Sequence, residues 1–117
     1  MAATIDTRIA RALDAMEQRL SEALTVGELA AIAGLSPSRF AHLFRRMVGV
    51  PPLRHLHALR MRHARQLLEE SSLSIRDVMR QVGWKDPSHF SKDFKRRFGV
   101  GPRRYRSTIR SVLAVAL

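Results

Sequence analysis

The chain repeats itself. Val26-Gly27-Glu28-Leu29-Ala30-Ala31-Ile32-Ala33-Gly34 aligns with Ile75-Arg76-Asp77-Val78-Met79-Arg80-Gln81-Val82-Gly83, 49 residues further on. One residue is inserted in the second copy. The match then continues at an offset of 50, pairing Pro37-Ser38-Arg39-Phe40 with Pro87-Ser88-His89-Phe90, and Phe44, Gly49 and Pro52 with Phe94, Gly99 and Pro102. Two copies are too few for a solenoid, so the repeat reads as one small unit made twice.

Each copy is written as helix, tight turn, helix. Thr25 is placed to cap a first helix, with Glu28 three residues on as the acid of a capping box. Leu29, Ala30, Ile32 and Ala33 supply its buried side, and Gly34 supplies the left-handed stop. Ser36 caps the next helix and Pro37 takes its first position, where a missing N–H costs nothing. Phe40, Leu43, Phe44 and Met47 form its apolar stripe, and Gly49 ends it. In the second copy Ser74 caps with Asp77, Gly83 turns, Asp86 caps, Pro87 starts, Phe90 and Phe94 pack, and Gly99 stops. A short helix, a turn containing Gly and a second helix form the helix-turn-helix grammar.

Between the copies, Leu53, Leu56, Leu59, Ala64, Leu67 and Leu68 give residues 52–70 an uninterrupted helical apolar side. A helix of that length is a rod of about 28 Å, near the ~34 Å that separates successive major grooves. Before the first copy, Ile5, Ile9, Leu13, Met16 and Leu20 predict a buttressing helix of about four turns. A short final helix is expected from Pro102 to about Arg110. Residues 111–117 carry no punctuation, so they extend that helix, pack on the core, or fray. The expected fold is all-α: seven helices, with two homeodomain-like helix-turn-helix subdomains (1–50 and 71–110) bridged by a long linker helix (51–70), and a C-terminal tail (111–117).

Charge narrows the partners. Lys and Arg number 21 against 10 acids, a net charge of +11. The distribution is uneven: Ala31 to Leu68 and Phe94 to the end contain no acid, while both stretches are rich in arginine. A domain this basic usually meets a polyanion; charge alone divides evenly between specific DNA binding and RNA or nonspecific binding. No apolar run approaches the ~18 residues of a membrane span, and Met1 to Asp6 lacks the makings of a secretory signal. Cysteine is absent, which removes disulfides, thiolate zinc sites and Cys nucleophiles. His55, His57 and His63 share a helix at spacings of 2 and 6 rather than the 4 of a zinc helix. No metal, no cofactor and no catalytic residue is expected, and cytoplasmic localisation is. Trp84 reads as a core or turn anchor. A membrane-surface reading of the cationic, amphipathic helices stays as the alternative from another class, opposed by the ordered caps and the repeat.

The run Gly83-Trp84-Lys85-Asp86-Pro87-Ser88-His89-Phe90-Ser91-Lys92-Asp93-Phe94-Lys95, continuing through Gly99, Pro102, Tyr105 and Arg106, resembles the signature of the AraC/XylS transcription regulators. Leu35-Ser36-Pro37-Ser38 and Leu59 to Leu68 resemble that family's first reader and linker helix. The resemblance covers roughly Asp6 to Arg106. Met79 stands where a small residue is usual, His55 where an aromatic is usual, and Pro51 and Gly101 where a Ser or Thr cap is usual.

This resemblance implies a bacterial regulator of transcription, an activator in most cases. Its partners are double-stranded DNA and RNA polymerase, not a membrane. Most family members carry a sensing or dimerising domain on the N-terminal side, so this chain reads either as a stand-alone short regulator or as the C-terminal part of a longer one; no small-molecule inducer site is expected in it, and in the second case the N-terminal domain is the expected place for one. DNA-repair proteins with a similar module transfer methyl groups to Cys, which this chain lacks, so no enzyme activity is expected. In a helix-turn-helix the second helix enters the major groove. Base contacts are therefore expected from Ser38, Arg39 and His42 in helix 37–48, and from Ser88, His89, Ser91 and Lys92 in helix 87–98. Phosphate contacts are expected from Ser36, Arg45, Arg46, Lys95, Arg96 and Arg97, which position without reading sequence.

Overall fold

A computed structural model describes residues 6–116; Ile5, at the head of the first apolar stripe, and Leu117, at the end of the tail, lie outside the described residues. Among these there are seven helices and no strand: α1 (Thr7–Gln18), α2 (Val26–Ala33), α3 (Pro37–Val48), α4 (Pro52–Glu70), α5 (Ile75–Gln81), α6 (Pro87–Phe98) and α7 (Pro102–Ala116). The chain divides into two compact units, the first ending at Leu59 and the second beginning at Arg60.

Helix starts follow from local side-chain chemistry. The first amide donors of a helix lack intrahelical partners, and a short oxygen-bearing side chain supplies one. Thr25 Oγ1 accepts from Glu28 N at 3.1 Å, Ser36 Oγ from Arg39 N at 3.3 Å and Ser74 Oγ from Asp77 N at 3.1 Å. Asp86 accepts from both Ser88 N and His89 N, at 2.9 and 3.2 Å.

The two tight turns are built alike. Gly34 and Gly83 sit at φ +73° and +76°, where a side chain would be strained. Around them Leu35 N donates to Ala30 O and Trp84 N to Met79 O, each at 2.9 Å, while Gly34 N and Gly83 N donate to Ala31 O and Arg80 O. These are paired Schellman closures, which satisfy the last carbonyls of α2 and α5. Met79 is buried at the position that Ala30 holds in the first copy.

Each unit has its own core. In the first, Ile9, Ala12 and Met16 of α1, Leu29, Ala30 and Ala33 of α2, Phe40 and Phe44 of α3, and Leu56 of α4 close together. In the second, Met61, Ala64 and Leu68 of α4, Val78, Met79 and Val82, Trp84, and Phe90 and Phe94 of α6 do the same. A fully buried Phe contributes about 1.5–3 kcal/mol, so the phenylalanine pairs are principal holds on α3 and α6. The repeat extends to ring contacts: Phe44 meets His55 edge-on at 5.7 Å, and Phe94 meets Tyr105 edge-on at 5.6 Å. Trp84 is a core anchor, packed against Phe90 at 6.1 Å.

Two expectations need amending. The final helix does not stop near Arg110 but runs to Ala116, with Val112, Leu113 and Val115 exposed; no Gly or Pro breaks it. Met47, placed in the apolar stripe of α3, is 38% exposed at the stripe's edge.

Candidate nucleic-acid interface

The reading helices α3 and α6 are each pinned by the first and second phenylalanine of their pair, one turn apart. The faces of α3 and α6 opposite those anchors are turned to solvent. Ser38, Arg39 and His42 on α3 are exposed, as are Ser88, His89, Ser91 and Lys92 on α6. Ser36, Arg45, Arg46, Lys95, Arg96 and Arg97 are exposed as well. In the first unit, Ser38, Arg39 and His42 line a cleft of about 310 Å³ with Leu35, Leu43 and Arg8 of α1. Arg8 was not among the residues that the sequence singled out. It is held two-pronged by Asp6, Nε to Oδ1 at 3.0 Å and Nη2 to Oδ2 at 2.8 Å. That hydrogen bonding draws the Asp6 carboxyl down to about 2.

The two faces differ electrostatically. The N-terminus of α3 carries a neutral cap, Ser36, whereas α6 carries a carboxylate, Asp86. The partial positive charge of a helix start attracts anions. On α6 that charge is already answered by Asp86.

A second difference lies further along α6. Asp93 is buried at 4% exposure, in the register that Leu43 occupies on α3. Arg97 Nε donates to its Oδ2 at 2.8 Å, and Arg96 Nη2 donates to its Oδ1. Burial pushes the Asp93 carboxyl up, but the Arg97 hydrogen bond and the charges of Arg97 and Arg96 outweigh it, so the group lies below its ordinary range. The structure thus brings two expected phosphate contacts onto one internal carboxylate, leaving the trio a net charge of +1. Arg96 keeps most of its surface (74% exposed) and Arg97 less (29%). On the same helix the His89 ring leans on Trp84, with centroids 5.5 Å apart.

Among the described residues no group of three His, Asp or Glu side chains gathers as a metal site, and no helix is long and apolar enough to cross a membrane.

Two capped reading helices on two copies of one unit can be compared with known proteins. A family model described as a helix-turn-helix domain matches residues 29–108. A transcriptional regulator from Chromobacterium violaceum, described among AraC-type DNA-binding domain-containing proteins, superposes with a TM-score of 0.81 at 29% identity, covering 88% of this chain and 92% of that one. The chain belongs to the AraC-type helix-turn-helix family. The DNA-binding domain of AdpA, described as a global transcriptional factor and solved in complex with a target DNA, superposes with a TM-score of 0.83 at 33% identity, covering 89% of this chain and 94% of its own. Among AraC-type relatives by sequence, the lactose operon transcription activator of Staphylococcus xylosus is 35% identical over 102 residues, 87% of this chain and 37% of that protein. The chain spans between 28% and 38% of the length of three curated relatives that it matches, this activator among them.

Proposed function

We propose that this chain binds double-stranded DNA sequence-specifically, with α3 and α6 each reading a major-groove segment, and that it activates transcription beside RNA polymerase. The observation that carries the reading is the duplicated reading helix: each is fixed to its own core by a phenylalanine pair and turns a polar or basic face to solvent. The lactose operon activator among the relatives supports activation. Nothing in this reading needs an enzyme activity, and inducer sensing is assigned to the part of the longer relatives that has no counterpart here.

On this reading, Arg39 forks onto guanine O6 and N7, the side chain best shaped for that base edge. Ser38 and His42 flank it. On α6, Ser88, His89, Ser91 and Lys92 make smaller or less fork-shaped contacts, and the His89 ring is partly spoken for by Trp84. Arg45, Arg46 and Lys95 hold phosphates, as do Arg96 and Arg97 from their seat on Asp93, with Ser36 at the open start of α3.

The test is selection of binding sites from random duplexes, followed by affinity measurements on the winning site. Arg39→Ala is expected to lose about 1–3 kcal/mol on that site and to relax preference at one or two base pairs. His89→Ala and Lys92→Ala are expected to lose less discrimination. Equal weakening of every sequence by Arg39→Ala makes it a phosphate clamp. Loss of discrimination through His89 and Lys92 but not Arg39 makes α6 the main reader. Binding to anionic vesicles with no duplex preference would favour the membrane-surface reading instead.

A further inference from the structure

The second unit carries basic surface that neither reading helix uses. Along α7, Arg103, Arg106, Ser107, Arg110 and Ser111 follow one another at spacings of 3, 1, 3 and 1, which puts them on one stripe of the helix. That stripe walls a groove of about 580 Å³ whose other side is Ser74 and Ile75 at the start of α5. Arg106 is buried in the wall and donates to the carbonyls of Leu68, Ser71 and Leu73. Those partners are neutral, so its charge is not cancelled. Arg103 and Arg110 are exposed, and among the described residues neither has an ion-pair partner. Burial lowers the Arg106 guanidinium, and the nearby charge of Arg110 lowers it further, which marks uncompensated positive charge at this spot.

The groove is continuous with the reading face. A neighbouring cleft of about 390 Å³ shares Ile75 and Arg103 with it and reaches Ser91 on the exposed side of α6. Arg103 and Arg110 are two turns apart, about 10 Å along the helix. An acidic protein segment has the right sign of charge, but continuity with Ser91 ties this face to whatever lies on α6.

We propose that the α7 stripe is a second phosphate-binding face, with Arg103 and Arg110 as its charged contacts and Ser74 and Ser107 as hydroxyl donors, which holds the DNA backbone beside the segment that α6 reads. This rests on the DNA-reading function proposed above. The face adds affinity and no base discrimination, because guanidinium-to-phosphate contacts are blind to sequence.

The experiment measures affinity against salt for the full 117-residue chain on its selected duplex and on an unrelated duplex. Three proteins are compared: unaltered chain, Arg103→Ala/Arg110→Ala, and Arg103→Lys/Arg110→Lys. Each phosphate contact adds about 0.9 to the slope of log affinity on log salt. The unaltered chain is expected near −5 to −7, a slope that about 6 to 8 contacts would give. The alanine pair should be flatter by about 2, weaker on both duplexes by the same factor, and unchanged in site preference. The lysine pair should keep the steep slope, and unchanged circular dichroism melts of these exposed positions would show that folding is not the cause. A steep slope in the unaltered chain that the alanine pair leaves untouched overturns the α7 face alone, and leaves an acidic protein as its occupant. A slope shallower than about −2 in the unaltered chain overturns the DNA reading itself, and the α7 face with it.

Discussion

Replacing Arg106 with Met removes a set of donors while keeping most of the apolar stem. In the structure Arg106 Nε donates to Leu68 O at 3.2 Å near the end of α4, Nη1 donates to Leu73 O, and Nη2 reaches Ser71 O at 3.4 Å. The residue is 9% exposed, so water has little access to the carbonyls it serves. A hydrogen bond from a charged donor is worth about 1.5–3 kcal/mol, and a buried acceptor left alone loses its solvation as well. Counting the two nearer bonds fully and the longest as marginal, Arg106→Met should destabilise the second unit by about 3–5 kcal/mol. Urea unfolding followed by Trp84 is the assay, because this sole tryptophan lies in the same core. With m near ~1.5 kcal/mol/M, the midpoint should fall by about 2–3 M. Arg106→Lys should recover part of that, since a single ammonium reaches fewer of the three carbonyls. A Met variant within about 1 kcal/mol of the parent, with m unchanged, would refute the claim that Arg106 ties the α4 end and the following loop to α7.

Asp93→Leu is expected to fold, with stability within about 1 kcal/mol of the parent or above it in thermal melts, because the first copy packs Leu43 in this register and a buried ion pair is often replaceable by an apolar side chain. Because the Asp93 pKa is depressed on folding, its contribution is complete above the unfolded value of about 3.9 and is lost as pH falls through the lowered folded value. Acid titrations of stability should therefore be flatter for Asp93→Leu than for the parent. Gly34→Ala should cost about 1–2 kcal/mol in denaturant unfolding, all of it backbone strain, because Gly34 is at φ +73° and an added Cβ meets nothing within 4 Å.

The fold was legible because its punctuation is local. A Ser or Asp before a helix, a Pro at its first position and a Gly after it act through atoms within a few residues, so Ser36, Ser74, Asp86, Gly49 and Gly99 announce their roles in one dimension. The seven-helix count and the phenylalanine anchors followed from the same grammar and from the repeat. Less legible were features set by packing between distant segments. Asp93 sits among basic residues and looks like an ordinary surface acid; only its register with Leu43, together with arginines three and four residues on, betrays a buried carboxylate. Arg106 hides in the same way, in register with Leu56 of the first core. Arg8 reaches the reading cleft because α1 folds against α3, a proximity that no local spacing records. The end of α7 was unreadable for the opposite reason: nothing after Arg110 punctuates the chain at all.

Asp93 also changes when side-chain freedom is given up. A surface arginine that grips phosphate must surrender about 2 kcal/mol of rotamer entropy at the moment of binding. Arg97, and to a lesser degree Arg96, has surrendered part of it already, on folding, by leaning on a carboxylate that the core itself holds still. On the proposed function, the second unit would meet its target with these guanidiniums half-organised and their long-range field muted by the acid between them. Such an arrangement gives little pull at a distance and little loss on contact, so its effect on a complex falls on how long the complex lasts more than on how quickly it forms.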